Sequence, residues 1–501
     1  MQPDVIVVGA GACGCVMARR LTERPDRSTL LLEAGPDYHG AALPFDLQDG
    51  GRNSMFAHDW GYSHKPNLRQ IRFQYPRGRV VGGSSAVNTC IALRGQPEDY
   101  DEWSSFVPSW SWSSCLPAFC RLEHDLDFQE DYHGRDGPLP LRRHPKSEWT
   151  AWQAAFVEAC LELGFPACDD SNRPGSHGVG PHAMNKLGGR RISTAEAYLT
   201  NEVRARENLR LRPGCTVRRV LVTNGRVRGV ELEANGGVER IESARVVLSA
   251  GALNTPGILL RSGIGPPDEV ARLGCELQRA LPAVGRRLLD HPGTAIFLRP
   301  RFFGPTSRRD PLIQTVLRYP SSAAHTSDML LQPGSKLPLP RVDVPLLSMM
   351  CAIGKPRGTG TLRFPSADPA AQPHIVSQLL ENTHDRELAV DAMQLAHRLT
   401  QTKVMRALAA PLWPSARTLR DRAQTSDWIL RACDSGYHPC GTAPMGRSPE
   451  DAVTDERGHV FGITGLYIAD ASLMPTIPSS NIHLPSLMIA ERISEWLRAE
   501  L

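Results

Sequence analysis

Three glycines and one acidic residue near the start of the chain have the spacing that dinucleotide binding requires. Gly9, Gly11 and Gly14 follow residues 5–8, a run of branched apolar side chains that predicts a strand buried on both faces. The first glycine permits a sharp turn, the second lets the backbone approach a pyrophosphate, and the third lets helix and strand lie close together. Glu33 ends the next apolar run about twenty residues later, where a carboxylate accepts hydrogen bonds from an adenosine ribose. These residues predict a dinucleotide site whose phosphates lie at a helix N-terminus.

A second stretch, residues 78–88, is rich in glycine and serine. Small side chains let a backbone lie flat against a planar ring system, and N–H and hydroxyl groups there can donate hydrogen bonds to it. By composition alone, the same stretch is equally typical of a tight loop.

The elements that must position these residues follow from the pattern of the chain. Residues 5–8 and 30–32 are predicted strands on either side of a helix near residues 15–21. Asn224 and Gly225 are typical of the two-residue turn of a β-hairpin, and they predict a β-meander around them. Residues 246–251 are a further buried strand that ends on small side chains.

Prolines suggest where two later helices begin. Proline is best tolerated at the first helical position, where its missing N–H would have no partner. We therefore expect one helix to open at Thr255 and Pro256, and the last helix to run from Pro485 to about Trp496.

Composition excludes several classes of protein. The 501 residues exceed what one hydrophobic core usually supports, so two domains are expected. The net charge of +4 and the lack of basic runs argue against a nucleic-acid partner. Twelve cysteines without zinc-type spacing indicate reduced thiols, no metal site and a cytoplasmic protein. A strand starting near residue 4 leaves no room for a signal peptide, and no apolar run has membrane-spanning length. Peripheral membrane contacts and homo-oligomer contacts stay open.

The motifs together resemble one family. The glycine fingerprint, residues 78–88 and residues 251–265 are similar to the glucose–methanol–choline (GMC) flavin oxidoreductases, and residues 284–292 resemble a further segment of that family. The resemblance runs essentially from end to end. It implies an α/β fold with a Rossmann-like FAD-binding domain and a β-meander, plus an α+β substrate domain built on an antiparallel sheet. The FAD-binding domain would comprise residues 1–292 and 438–501, and the substrate domain residues 293–437.

The resemblance also assigns the chemistry of the final block. It implies that FAD oxidises the CH–OH group of a small-molecule alcohol, while a base takes the hydroxyl proton. His438 matches the active-site histidine of the family, and Asn481 matches its partner. Histidine suits this role because its pKa of about 6.5 allows it to accept a proton near neutral pH. His483 is a rival for the second position, since it would point the same way as Asn481 in an extended segment.

Cofactor contacts are implied for the residues that match the family motifs. Apart from the fingerprint glycines and Glu33, these are Arg79, Gly82, Gly83, Ser84, Asn88, Val217, Asp470 and Ala471. Members of the family with covalently bound flavin can carry a histidine where this chain has Val87. Valine cannot form that bond, so we expect FAD to be held non-covalently.

Other functions remain open from the sequence. Hydroxynitrile lyases share the fold and keep FAD without net redox chemistry, and they are the main alternative. A light-driven fatty-acid decarboxylase, a non-enzymatic binding module and a nicotinamide-only dehydrogenase are less well supported by the motifs. The sequence identifies neither the alcohol nor the electron acceptor, which is oxygen or another molecule.

Overall fold

A parallel sheet organises the N-terminal part of the chain. The computed structural model describes residues 2–54, 56–301, 307, 309–322, 324, 326–338, 343–344 and 346–501. The hydrogen-bonded order of the parallel sheet is Leu209–Arg212, Thr29–Leu32, Val5–Val8, Val246–Leu248 and Leu466–Ile468. Every residue of Val5–Val8 is buried, as expected for a central strand covered on both faces. The predicted α/β class with a Rossmann-like sheet is confirmed.

Helices cover this sheet and one face of the large antiparallel sheet described below. The described residues form the helices Ala12–Leu21, Phe45–Gln48, Pro97–Phe106, Trp112–Leu122, Ala151–Glu162, Thr194–Tyr198, Asn201–Arg204, Gly251–Arg261, Pro267–Arg272, Thr383–Thr400, Lys403–Leu408, Ala416–Arg420, Arg422–Ala432 and His483–Glu500.

Predicted helix starts were late in three places. The first helix begins at Ala12 rather than near Cys15, because Gly11 is its extended N-cap residue. The last helix begins at His483 rather than at Pro485. The N–H groups of a first helical turn have no partner within the helix, so a proline at the third position fits as well as one at the first.

Pro256 lies inside the helix Gly251–Arg261 and does not open it. A proline there cannot donate to the carbonyl four residues earlier, which belongs to Ala252. The hydroxyl of Thr442 donates to that carbonyl at 2.6 Å instead. A contact from a distant part of the chain therefore compensates for the missing hydrogen bond and lets the helix start earlier than its proline suggests.

The predicted meander is present. Strands Thr216–Thr223, Arg226–Ala234 and Gly237–Glu242 form an antiparallel sheet. Asn224 and Gly225 both have positive φ, 51° and 69°, as the tight hairpin turn requires.

A large antiparallel sheet forms the second layer. Its main strand order is Ala409–Trp413, Pro292–Pro300, Leu347–Ile353, Met329–Gly334, Thr315–Tyr319 and Gly178–Pro181, and the short strand Asp434–Ser435 pairs with Pro292–Pro300. One face of this sheet is buried against the helices Ala151–Glu162 and Thr383–Thr400. We refer to it below as the antiparallel sheet.

Smaller sheets join the layers. These are Thr361–Arg363, His374–Val376, Ser63–Lys65 and Phe73–Gln74; Glu123–Asp125, Leu139–Arg143 and Ala183–Met184; and the pairs Lys186–Leu187 with Arg190–Arg191, Ile264–Gly265 with Arg279–Ala280, and Leu337–Pro338 with Asp343–Val344.

The layers are interleaved along the chain. Helix Ala151–Glu162 and strand Gly178–Pro181 belong to the layer of the antiparallel sheet, although both lie within the range 1–292. The C-terminal helix His483–Glu500 packs against Ala12–Leu21 at the parallel sheet. The division at residues 293 and 437 stays a prediction, and most residues outside the described ranges fall between these two positions.

Two further features bear on the expected environment of the protein. All twelve cysteines are free thiols. Within the described ranges, no helix is both long enough and apolar enough to cross a membrane.

Candidate active site

One elongated cavity gathers most of the predicted site residues. It lies where the strands of the parallel sheet end. Its walls include these predicted residues: Gly9, Gly11, Glu33, Gly83, Ser84, Asn88, Val217, His438, Asp470, Ala471 and Asn481. Val87, Tyr437 and His483 also line it.

Two glycine loops meet in the cavity wall with their backbones almost in contact. A Cβ on Gly83 would lie 2.7 Å from the Cα of Gly11, and Gly83 has a φ of +52°. A Cβ on Gly9 would lie 2.6 Å from the carbonyl oxygen of Ser249. Side chains at these positions would collide with the neighbouring backbone, so glycine is what lets the segments of the cavity wall lie this close together.

Three predicted cofactor residues lie outside the cavity wall. A Cβ on Gly14 would lie 1.8 Å from the carbonyl oxygen of Gly9, so this glycine serves the close approach of helix and strand. The N–H of Gly82 donates to the carbonyl of Ala10 at 2.7 Å and holds the two loops together. Arg79 is exposed, with its guanidinium carbon 5.0 Å from the ring centre of Trp60.

Glu33 is a buried carboxylate beside the glycine turn. Its Oε2 accepts from the N–H of Ala10 at 2.9 Å, and its Oε1 accepts from the N–H of Gly35 at 2.8 Å. Burial raises the pKa of the Glu33 carboxyl to about 7. A carboxylate fixed in this way retains acceptor capacity toward the cavity, which suits the hydroxyl groups of a ribose.

Asp470 anchors the other side of the cavity. Its Oδ2 accepts from the N–H of Gly251 at 2.9 Å and from the hydroxyl of Thr255 at 2.6 Å, and its Oδ1 accepts from the N–H of Ser472 at 2.8 Å. The side chain thus caps the helix that starts at Gly251. Burial raises the pKa of this carboxyl.

A chain of hydrogen bonds sets the proton positions of two histidines. His291 Nε2 lies 3.0 Å from the carbonyl oxygens of both Gly354 and Pro478. Carbonyl oxygens only accept, so this nitrogen carries the proton, and Nδ1 of the neutral ring is an acceptor. His438 Nδ1 lies 2.8 Å from His291 Nδ1 and must therefore donate to it. The lone pair of His438 is left on Nε2.

Asn481 lies at that lone pair. Its Nδ2 is 3.0 Å from His438 Nε2, and both residues line the cavity. Burial lowers the pKa of His438 well below its usual range, and the nearby His291 and Arg77 act in the same direction. The ring is therefore neutral at pH 7, with a basic nitrogen beside an amide donor, and this arrangement could accept a proton from a hydroxyl group.

Asp290 fixes the backbone of both histidines. Its Oδ1 accepts from the N–H groups of His291 and His438, each at 2.9 Å. Its Oδ2 accepts from the hydroxyls of Tyr75 and Ser435, each at 2.5 Å. The sequence analysis placed Asp290 and His291 in the family-like stretch 284–292 but assigned neither of them a role in the site. An acid and a histidine side by side before a strand were the available signal.

His483 occupies a different environment from Asn481. Ile482 has φ −85° and ψ 4°, so the segment enters the helix and is not extended as assumed. His483 Nε2 lies 3.2 Å from the hydroxyl of Thr194, and burial lowers the pKa of this histidine to about 4. His438 has its side-chain contacts to His291 and Asn481 instead.

Away from the cavity, the described residues include a cluster with metal-type ligand atoms. Oxygen and nitrogen atoms of Glu123, Asp125 and His133 lie within 4.8 Å of one another. Arg94 pairs with Glu123, and Arg143 pairs with Asp125 at 2.6 Å. Arginine and imidazole donors thus surround these carboxylates, as in a buried ion-pair network.

Comparisons with known proteins extend over the whole chain. Two family models, both described as GMC oxidoreductase, match residues 3–293 and 356–490. The chain is 33% identical to 5-(hydroxymethyl)furfural oxidase of Methylovorus sp. (strain MP688), over 98% of each chain. It is 30% identical to an oxygen-dependent choline dehydrogenase of Rhizobium etli, over 99% of this chain and 96% of the relative. The crystal structure of pyridoxine 4-oxidase from Mesorbium loti superposes with a TM-score of 0.91 at 29% identity, over 99% of each chain.

Proposed function

This chain belongs to the GMC oxidoreductase family, and from that premise we propose that it oxidises an alcohol CH–OH group to an aldehyde or ketone, with His438 as the base. The observation that carries the proposal is the tautomer of His438. Its Nε2 carries the lone pair and lies 3.0 Å from the amide nitrogen of Asn481, and both residues line the cavity. The relatives named above include enzymes for neutral and cationic alcohols, so the family alone does not decide the substrate.

The residues that line the cavity suit the binding of FAD. Because Gly11 and Gly83 lack side chains, their two loops come close together in the cavity wall, where backbone atoms can face a ligand. Glu33 is positioned to hold ribose hydroxyls, and Gly9 and Gly11 precede the helix N-terminus at which phosphates bind. When bound, FAD supplies the hydride acceptor at its N5 atom. We propose that Ser84, Asn88, Val217, Asp470 and Ala471 contribute the remaining contacts along the cavity.

His438 and Asn481 have different roles at the substrate hydroxyl. His438 Nε2 removes the hydroxyl proton, because an alkoxide is a far better hydride donor than a neutral alcohol. The amide of Asn481 donates to the same region and orients the oxygen. Asp290 and His291 position the ring but do not contact the substrate.

The C-terminal helix favours negative charge at this end of the cavity. It begins at His483, and no side chain caps its N-terminus. The free N–H groups of its first turn and the positive end of its dipole therefore lie next to Asn481. This environment stabilises negative charge on a bound group at the catalytic end.

We propose that FAD is held without a covalent bond. Val87 lines the cavity and has no nucleophilic atom. Acid precipitation of the holoenzyme should release the yellow cofactor into the supernatant, and colour that stays in the pellet would contradict this.

The acceptor of the electrons is proposed to be oxygen or another small oxidant. The free thiols accord with a location in a reducing cytoplasm.

The function can be tested by mixing the holoenzyme with alcohols without oxygen. A panel of primary, secondary, aromatic and sugar alcohols should contain members that bleach the flavin absorbance. Regain of the yellow colour on admission of air would identify oxygen as an acceptor. Cleavage of a cyanohydrin with unbleached flavin, and no bleaching by any alcohol, would instead favour a lyase.

A further inference from the structure

The two carbonyls that hold the proton of His291 belong to separate segments of the chain. Gly354 follows the strand Leu347–Ile353 of the antiparallel sheet, whereas Pro478 lies shortly before the C-terminal helix. His291 Nε2 carries one proton and lies 3.0 Å from the oxygen of each. Both oxygens can accept that proton only while the two segments keep their present separation, so whatever joins the segments bears on the tautomer of His291.

Lys355 joins the two segments. It is the residue after Gly354, and its Nζ donates to the carbonyl oxygen of Ile477, the residue before Pro478, at 2.8 Å. The backbones also approach each other directly, since a Cβ on Gly354 would lie 3.1 Å from both the Cα and the carbonyl oxygen of Ser479. The side chain of Lys355 therefore bridges the segment of one carbonyl to the segment of the other.

The helix Pro97–Phe106 supplies the carboxylates that hold this ammonium group. Glu102 Oε2 accepts from Lys355 Nζ at 2.5 Å, and Asp99 Oδ1 lies 3.4 Å from the same nitrogen. Asp99 Oδ2 accepts from both the N–H and the hydroxyl of Ser479, at 2.9 and 2.7 Å. One carboxylate therefore holds both the ammonium group and the segment to which that group is bonded.

The three side chains of Asp99, Glu102 and Lys355, which we call the clamp, form a partly shielded ionic group. The Asp99 side chain is 4% exposed and that of Lys355 is 28% exposed. Burial disfavours the charged ammonium, but Asp99 and Glu102 raise the pKa of Lys355 above its usual value, so it stays charged near neutral pH. The cavity wall that the described residues form includes none of the three. An effect of the clamp on catalysis must therefore pass through the residues that it holds.

We propose that the clamp positions the base: by keeping both carbonyls on His291 Nε2, it keeps the proton of His438 on Nδ1. The inference rests on the proposed alcohol oxidation with His438 as the base. When one carbonyl moves away, a tautomer of His291 with its proton on Nδ1 costs less free energy. His438 Nδ1 must then accept, so the proton of His438 lies on Nε2, and the ring cannot take a proton from an alcohol there.

Lys355→Met tests the clamp, because it removes the ammonium group and keeps a side chain of similar length. The limiting rate of anaerobic flavin reduction by benzyl alcohol, or by a faster member of the alcohol panel, should fall roughly three- to tenfold, the equivalent of one hydrogen bond. The alcohol concentration at half-saturation and the flavin content should stay unchanged, because the clamp does not line the cavity. Lys355→Arg retains the charge and should recover most of the rate.

A double variant identifies the residue through which the clamp acts. In a His291→Ala background the two carbonyls have no ring N–H to hold, so adding Lys355→Met should slow reduction by less than about twofold. Equal losses in both backgrounds, or an unchanged rate in the single variant, would overturn the inference and leave alcohol oxidation intact. Flavin bleaching by no alcohol in the unaltered holoenzyme would overturn the proposed function, and the inference with it.

Arg20→Met is the matched control for a lost ion pair. Arg20 bonds to the buried Glu491 at 2.8 Å and to Glu23, and both acids lie outside the two carbonyl segments. R20M should lower the unfolding temperature, as K355M does, but should change the limiting rate by less than about twofold. Equal rate losses in R20M and K355M would assign the effect to general loosening of the fold and overturn the inference. This comparison, together with Lys355→Arg, decides the question if the double variant does not fold.

Discussion

His438 and His291 face each other through like atoms, Nδ1 to Nδ1 at 2.8 Å, so one ring must donate and the other must accept. The carbonyls at His291 Nε2 decide which ring donates. A glycine makes the approach feasible, since a Cβ on Gly436 would lie 3.1 Å from His438 Nδ1 and 3.3 Å from the Cβ of His291. The proposed base, His438, is therefore oriented by a residue that is not among those lining the cavity.

Removing the acceptor at His291 should weaken the control of the tautomer. His291→Ala is expected to slow flavin reduction roughly ten- to a hundredfold, because a buried N–H of His438 loses its partner. His291→Asn can still accept through its side-chain oxygen and should retain more of the rate. Stopped-flow reduction across a pH series would check this. A merely structural role would give equal losses and an unchanged pH profile in both variants.

Loss of the base should separate chemistry from cofactor binding. His438→Ala is expected to retain FAD and to lose reduction by roughly two to four orders of magnitude, the usual contribution of a general base. The flavin-to-protein absorbance ratio and anaerobic stopped-flow kinetics measure the two properties. His483→Gln keeps a polar group near Thr194 and should lose far less. Equal losses at positions 438 and 483 would assign the two histidines a shared role.

The pH dependence of reduction follows from the buried state of His438. The neutral ring is the active form, and burial lowers the pKa of His438 below its usual range. The active form therefore persists as pH falls through about 6.5, where an exposed histidine would become protonated. We expect a level reduction rate from about pH 8 to about pH 6, with a decline only in more acidic buffer. A rate that is already halved at or above pH 6.5 would contradict this environment.

A matched pair of glycine variants tests the cofactor cradle. Gly83 and Gly61 both have positive φ, +52° and +73°, so alanine strains the backbone at either position. Only at Gly83 would the new Cβ meet another backbone, 2.7 Å from the Cα of Gly11, while at Gly61 nothing lies within 4 Å. Gly83→Ala should purify with little FAD, and Gly61→Ala with a nearly full complement. Similar flavin content in both would remove the loop contact from FAD binding.

The buried network around His133 predicts stability that falls at high pH. Burial disfavours the charged ring, but hydrogen bonds to Asp125, Asp170 and Glu123 raise the pKa of His133 to about 10. A pKa higher in the folded protein than in the unfolded chain stabilises the fold fully below about 6.5. That contribution is lost as pH rises through about 10. The unfolding temperature should therefore fall between about pH 7 and pH 10.

His133→Gln provides the comparison for this network. It removes one of the cations that face these buried carboxylates, while Arg94 and Arg143 remain, and should lower the free energy of unfolding by about 3–5 kcal/mol at neutral pH. Its unfolding temperature should also change less with pH than that of the unaltered protein. Parallel pH curves for the two proteins, measured by scanning fluorimetry, would exclude His133 as the titrating group.

Local sequence signals predicted the parts of the site that one stretch of chain builds. The glycine turn and Glu33 lie within one βαβ unit, and Asn224 with Gly225 fixes its own hairpin, so nearby residues suffice. Contacts between distant segments were not readable in this way. His291 meets His438 across 147 residues, and Thr442 reaches Ala252 across 190. The second contact is also why proline misled the helix start at Thr255.

The strand Pro292–Pro300 of the antiparallel sheet begins directly after His291, the residue whose ring contacts that of the proposed base, His438. The Nε2 atom of His291 donates a hydrogen bond toward the carbonyls of both Gly354, which follows the neighbouring strand Leu347–Ile353, and Pro478. A rigid movement of the antiparallel sheet away from Pro478 would therefore break a hydrogen bond of His291. It would also displace the ring nitrogen that accepts the Nδ1 proton of His438. The position of this sheet edge and the orientation of the proposed base are therefore coupled.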